Sequence, residues 1–339
     1  DKRIFLLSQM IHNPSVNADL EKNGIEFIQD TQGNQLKEWD EIHPEDVVII
    51  PAFGTTIEIE SILEKKGIET KKYNTTCPFV ERVWNKSEKL GNDDYTVIIH
   101  GKDKHEETRA TFSHAKEHAK SIVLRDIEEA KILGEIILGK RSKADFAKHF
   151  STRTSEGLNF ETDFDRIGVV NQTTMLASET QEISDYLAAI MNQKFGSENK
   201  DQHFANTRDT LCYATNDNQT ATLALLEEDA DVAFVIGGYN SSNTSHLVEL
   251  LERKFKTYYI KDETELIDKD HIHHYDLHQN KTVDTENYLP ADKALKIIIT
   301  SGASCPDSTV DRVIQRLGEL QDVNLDVEAA LTILKNDFK

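Results

Sequence analysis

Two stretches, NTTCPFV (74–80) and DTLCYAT (209–215), each set a cysteine in a threonine-bearing polar turn just ahead of a helical pattern. Pro78, directly after Cys77, suits the first position of a helix. A thiol at a helix N-terminus is shifted toward thiolate, the form that attacks electrophiles and ligates soft metals or iron–sulfur clusters. The chain has only three cysteines, the last being Cys305 in SGASCPD, and no CxxC pair. That pattern argues against a secreted disulfide scaffold, a zinc ribbon or a thioredoxin-type site. Structural thiols, a catalytic thiol and soft-metal ligation stay open.

A second group follows the apolar run YTVII. In HGKDKHEET (100–108), His100, His105, Glu106 and Glu107 gather imidazole and carboxylate within one turn and the start of a helix. Imidazole switches charge near neutral pH, and a buried carboxyl can hold a proton for delivery. Glutamates in the first turn of a helix also stabilise its dipole, which accounts for Glu106 and Glu107 but not for the histidine pair.

Such groups need elements that place them. Short β-branched runs recur at 3–7, 47–51, 95–100, 121–124, 167–170, 232–237, 257–260 and 296–300. Helical patterns lie between most of them, two ending at Gly24 and Gly67. This alternation predicts α/β architecture with small parallel sheets covered on both faces. Ligands bind beyond the carboxyl ends of such strands, and here those ends read PAFGTT, HGKDKHEET, NQTT, GYNSSNTS and SGAS. One hydroxyl or amide at each would serve only to cap a helix. NQTT and NSSNTS supply several, which suits a phosphate or diphosphate held at helix N-termini. Neither GxxxxGKS/T nor GxGxxG occurs, so neither a P-loop nor a dinucleotide fingerprint is present. Two polar stretches interrupt the alternation: 139–165, read as an insertion or a surface excursion, and 273–292, read as a loop. His271, His273, His274 and His278 around the second offer a metal site in principle, but a solvated loop is the better reading. KGIETKKY (66–73) is read as a strand leading to Cys77.

The net charge of −21 excludes a general nucleic-acid or membrane-surface binder. No apolar run approaches the ~20 residues that span a bilayer. The chain starts DKRIFLLSQ, directly in a strand and without Met, as if its natural start lay upstream.

The ordered set IHNP, TTCPFV, HGKxxHEET, NQTTM, DTLCYAT, NSSNTSHL and GASCPDS resembles the 4-hydroxy-3-methylbut-2-enyl diphosphate (HMBPP) reductase family of the non-mevalonate isoprenoid pathway, and runs from His12 to Asp307. PAFG and HGKxxHEET resemble its plant and cyanobacterial branch. The resemblance implies three similar α/β domains in a trefoil around a central 4Fe–4S cluster. It also implies reductive dehydroxylation of HMBPP to isopentenyl and dimethylallyl diphosphate, with ferredoxin or flavodoxin as electron donor and neither nucleic acid nor membrane as partner. By motif, Cys77 and Cys212 ligate the cluster. Glu107 is the proton source, and Thr173 orients substrate and relays protons. His12, His105, Thr173, Ser241, Ser242, Asn243 and Ser304 hold the substrate, mostly at its diphosphate.

The expected domains are 1–76, lacking the first strand and helix, then 77–211 with the polar insertion at about 139–166, then 212–310, with a C-terminal helix and tail at 311–339. The family's first cluster cysteine lies in a stretch upstream of IHN that these residues do not include, so the third ligand is expected outside them. Cys305 falls where many members have a small residue, and is read as apolar filler. Phe53 stands where many bacterial members place a histidine. The expected compartment is the cytoplasm, or alternatively the plastid stroma. The competing reading is a cluster-free relative that binds diphosphates without turnover.

Overall fold

The computed structural model describes residues 2–205, 207, 210–290 and 294–323. They divide into two compact units, one formed by 1–11 and 15–216, the other by 12–14 and 217 onward.

The first unit holds two three-stranded parallel sheets. In chain order its elements begin with β1 (Ile4–Leu6), α1 (Pro14–Lys22), β2 (Glu26–Phe27), β3 (Val47–Ile49) and α2 (Ile57–Lys65). These strands order as β2-β1-β3, over a core of Phe5, Leu7, Ile28, Ile42, Val48, Leu63 and Ile68. The second sheet follows with α3 (Pro78–Asn92), β4 (Thr96–His100), α4 (Glu106–His118), β5 (Ser121–Leu124), α5 (Ile127–Ile137), α6 (Lys143–Phe150), β6 (Ile167–Asn171), α7 (Ala177–Phe195) and α8 (Lys200–His203); α9 (Tyr213–Leu225) begins in this unit, and its residues from 217 on are counted with the second. Its order is β5-β4-β6, and every residue of the three strands is buried. That explains why they read as unbroken apolar runs rather than alternating ones.

The second unit is built on β7 (Val232–Ile236), α10 (Ser242–Leu251), β8 (Thr257–Ile260), β9 (His271–Asp276), β10 (Lys281–Glu286), β11 (Ile297–Ser301) and α11 (Asp307–Leu320). The sheet order is β10-β9-β8-β7-β11, parallel among β8, β7 and β11 and antiparallel through β9 and β10.

All eight apolar runs become strands, so the α/β expectation with small parallel sheets holds. Local readings differ in three places. KGIETKKY is not a strand: Thr70–Tyr73 form a 3-10 turn, because its only aliphatic side chain, the buried Ile68, cannot make the alternating apolar face a strand needs. The 273–292 stretch is mainly the β9–β10 hairpin, not a loop. Its alternation was hidden because β10 is an exposed edge strand that shows charge to solvent. Asn280 takes a left-handed backbone (φ 53°) at its turn. The 139–165 stretch lies outside the sheet but is no mere surface excursion: Phe146, Phe150 and Phe164 sink into the core around Ile98 and Ile167. The hairpin histidines each take a separate partner, His271 with Asp268, His273 with Asp284, His274 with Thr285 and His278 with Glu252. The tail from 324 lies outside the described residues, as do Asp209 of the second cysteine stretch and residues 291–292.

Phe164 is 1% exposed. Phe164→Ala is expected to cost roughly 3–5 kcal/mol by chemical denaturation. A cost below about 1 kcal/mol would remove 139–165 from the core.

Candidate functional site

In the first unit the chemistry collects at the carboxyl ends of β3, β4 and β6. Cys77 is the residue that enters α3, with Pro78 at the first helical position. Its backbone N–H donates to Ala52 O (2.9 Å), tying it to the turn after β3. α3 keeps its place by burying Val80, Val83, Ser87 and Leu90 along one face. Cys212 precedes α9. Its N–H donates to Thr173 O (3.2 Å), and its Sγ accepts from Thr215 N (3.3 Å) and lies 3.1 Å from Thr215 Oγ1. The rings of Phe79 and Tyr213 have centroids 5.5 Å apart, so the two cysteine-bearing helix starts meet. Both thiols are partly exposed.

Glu107 and Thr173 form the second part. The Thr173 backbone N–H donates to Glu107 Oε1 (2.5 Å), and its hydroxyl donates to Oε2 (2.9 Å). Glu107 is 1% exposed. Burial pushes its carboxyl up to about 7, against the opposing pull of the two Thr173 hydrogen bonds. A carboxyl so placed gives and takes a proton near neutrality. It lies one residue from Cys212 through Thr173, whose carbonyl holds the Cys212 amide.

His105 caps α4: its Nδ1 accepts from Glu107 N (3.1 Å). That bond assigns the proton of a neutral ring to Nε2, making Nε2 a donor. The Phe53 ring meets the imidazole edge-on, centroids 5.6 Å apart. Phe53 thus packs against the histidine that caps α4.

Two residues went unassigned in the sequence reading. Asn171 ends β6 and exchanges hydrogen bonds with Thr210: Thr210 N donates to Asn171 Oδ1 and Asn171 N donates to Thr210 Oγ1, both 2.9 Å. Gln172 Oε1 accepts from Thr108 Oγ1 (2.8 Å) and Lys102 N (3.1 Å). They lock the Cys212 approach and the Glu107 turn to the same strand end. Polar types at the close of an apolar strand were the available signal.

The second unit gathers the neutral donors. Ser241 caps α10, accepting from Thr244 N (3.2 Å) and Thr244 Oγ1 (2.9 Å). Thr244 also lies against the turn after β11, where a Cβ on Gly302 would stand 1.9 Å from its Oγ1. Only a glycine admits that approach. Ser304 Oγ donates to His12 O (3.2 Å), and Asn13 Nδ2 donates to Ser304 O (3.0 Å). The start of α10, with Ser241, Ser242 and Asn243, therefore lies beside the turn after β11, where Ser304 meets His12, and 237–246 contains no Lys or Arg. Asn243 is 3% exposed, and both its Nδ2 and its Oδ1 are buried without a hydrogen-bond partner among the described residues. A buried amide left so is costly unless a ligand or water meets it.

Cys305 packs partly buried against the core of this unit, and burial, then Asp307, pushes its thiol up to about 11. It behaves as a small apolar filler.

Among the described residues no three His, Cys, Asp or Glu side chains stand together as a metal site. Two thiols at adjoining helix starts fit two corners of an iron–sulfur cluster in ligand type.

Residues 1–318 match the family described as LytB protein. A Prochlorococcus marinus protein named 4-hydroxy-3-methylbut-2-enyl diphosphate reductase is 42% identical over 319 residues, 94% of this chain and 78% of that one. One of the same name from Thermosynechococcus vestitus is 40% identical over 323 residues, 95% and 78% of the two chains. The solved structure of (E)-4-hydroxy-3-methyl-but-2-enyl diphosphate reductase shares the fold at a TM-score of 0.53 and 24% identity, covering 94% of this chain and 89% of that one. That of the Plasmodium falciparum reductase does so at 0.65 and 20%, covering 94% and 79%.

A carboxyl raised in the native state favours folding only while protonated. Glu107 thus supports the fold fully below its ordinary value of 4.5 and loses that support as pH rises through about 7. Glu107→Gln lacks this penalty. Its melting temperature relative to the unaltered protein is expected to climb between pH 4.5 and 7. A difference that stays flat over that range would refute the raised carboxyl.

Proposed function

Because the chain belongs to the LytB protein family, we propose that it is an oxidoreductase acting on HMBPP. The substrate takes up two electrons and two protons. The C–O bond to the terminal hydroxyl breaks with its electron pair leaving on oxygen, one proton completes water, and the other goes to carbon. The products are isopentenyl diphosphate and dimethylallyl diphosphate. The observation that carries this reading is the buried Glu107 carboxyl, half-protonated near neutrality and held by Thr173.

Cys77 and Cys212 would hold two corners of a 4Fe–4S cluster, which when bound supplies electrons and a Lewis-acidic iron toward the hydroxyl. The remaining work belongs to this chain's own side chains. Glu107 holds a proton for the departing oxygen. The Thr173 hydroxyl, already bonded to Glu107 Oε2, orients the substrate and passes the proton on. Burial keeps that proton from exchanging freely with water.

The diphosphate is assigned to His12, His105, Ser241, Ser242, Asn243 and Ser304. Hydroxyls, amides and imidazole N–H groups at a helix start bind phosphate oxygens without a lysine. Asn243 supports this assignment most directly, since its buried amide has no hydrogen-bond partner among the described residues. Electrons would come from ferredoxin or flavodoxin, in a cytoplasm or plastid stroma. No helix among the described residues is long and apolar enough to cross a membrane.

Protein prepared without oxygen and supplied with iron and sulfide is expected to turn brown. Cys77→Ser and Cys212→Ser should lose the colour, and Cys305→Ser should keep it. Glu107→Gln should keep both colour and substrate binding while turnover falls about 10²–10⁴-fold. Colourless protein that still binds HMBPP would replace the reductase with a diphosphate-binding protein, and unimpaired turnover in Glu107→Gln would dismiss the proton source. A hydrogen bond to a charged group contributes about 1.5–3 kcal/mol, so Asn243→Ala is expected to weaken HMBPP binding roughly tenfold or more. Calorimetric titration reads this directly, and unchanged affinity would detach Asn243 from the diphosphate.

A further inference from the structure

Three tyrosines and one glutamate lie directly behind the turn that carries the serines of the second unit. Tyr259, on β8, is 1% exposed, and its hydroxyl donates to the carbonyl of Gly238. Gly238 itself abuts His12: a Cβ there would fall 2.4 Å from His12 O. Tyr239, two residues before Ser241, stands edge-on to Tyr259 (centroids 5.2 Å, 87°) and stacks on Tyr275 (4.7 Å, 19°). Its hydroxyl donates to Glu265 Oε2, and the same oxygen accepts the Lys261 backbone N–H (2.8 Å). Glu265 is 3% exposed, and Lys261 Nζ approaches its other oxygen at 3.4 Å.

Tyr275 belongs to β9 and pairs directly with Tyr259 across the antiparallel β8–β9 ladder. The two rings are 5.9 Å apart at 83°. The hairpin therefore delivers an aromatic face under the turn at 237–240. None of these four side chains is one of the groups assigned to substrate.

We propose that Tyr239, Tyr259, Tyr275 and Glu265 are positioning residues that fix the 237–243 turn, and through Gly238 the His12 carbonyl, in the geometry that receives the diphosphate. This rests on the cradle assignment made above and extends it to groups that do not meet the ligand. A glycine-rich turn such as GGYN has many accessible backbone states. Each state other than the receptive one reduces apparent affinity by the fraction it occupies. Aromatic pairs in offset or edge-on geometry restrain ring positions, and the Tyr259 hydroxyl restrains the carbonyl of the most permissive residue. The Glu265 carboxylate holds Tyr239 by a charge-assisted bond, the stronger kind.

The predicted signature is a binding effect without a chemical one. Losing one hydrogen bond of ordinary strength shifts an equilibrium about fivefold. In the cluster-loaded enzyme, Tyr259→Phe and Tyr275→Ala should raise the KM for HMBPP about five- to tenfold. Their kcat should stay within about twofold of the unaltered value, since uniform binding alone is lost. Tyr275→Phe keeps the ring and loses only a hydrogen bond to Asn280, so it should behave as the unaltered enzyme. Calorimetric titration with inorganic pyrophosphate should show the same ranking without turnover. Unchanged KM and affinity in folded Tyr259→Phe and Tyr275→Ala overturn the proposal, as does a fall in kcat at constant KM. A Tyr275→Phe as impaired as Tyr275→Ala overturns it too. If the unaltered protein binds neither HMBPP nor pyrophosphate, the cradle assignment fails first. Normal binding by the unaltered protein beside normal variants defeats this inference alone.

Discussion

The Glu107 carboxyl bonded to Thr173 is the interaction on which the remaining chemistry depends. Burying an ionised carboxylate costs several kcal/mol unless strong donors compensate it. Here two donors from one threonine offset part of that cost and leave the group near neutrality. More donors would have turned it into a permanent anion, and none would have kept it a permanent acid. The same threonine holds the Cys212 amide through its carbonyl. The proton affinity of the carboxyl and the placement of the Cys212 amide are thereby both tied to one residue two positions past β6.

The diphosphate role proposed for the second unit sets a different problem. A diphosphate carries concentrated negative charge, and lysines would bind it strongly with little geometric demand. Hydroxyls and amides need close, aligned contact, so the backbone presenting them must be firm. Thr244 against Gly302, Ser304 against His12 and the tyrosine cluster behind Gly238 provide that firmness. The hairpin that reads as a polar loop in one dimension supplies the ring beneath Tyr239.

Buried polar atoms mark where the fold carries cost without internal return. Most polar groups near these strand ends are paired: Asn171 with Thr210, Gln172 with Thr108, His105 with the Glu107 amide. Against that background the Asn243 amide stands out among the described residues, because both its Nδ2 and its Oδ1 are buried without a hydrogen-bond partner. A site shaped for a ligand keeps such a group where a purely structural packing would have replaced it with an apolar side chain.

Strand positions were legible in the sequence because buried parallel strands must be continuously apolar, and VVII, TVII, IGVV, VAFVI and KIIIT are. Cap and turn chemistry was legible at Ser241 and Pro78 for the same local reason, whereas the cap that His105 makes was not. The site residues were named through a motif order that local physics does not by itself require. Five features waited for tertiary structure. The 139–165 stretch buries Phe146, Phe150 and Phe164 though its average is polar, because burial follows the face and not the mean. The hairpin escaped notice because an edge strand wets both sides. The raised Glu107 carboxyl, the orphan Asn243 amide and the Tyr239–Tyr259–Tyr275 cluster depend on desolvation and on partners remote in sequence. Residue types determine which groups exist and which elements they start or end. The dielectric around a group and the atoms facing it come into being only when distant segments pack, and those decide whether it is a cap, a filler or an acid.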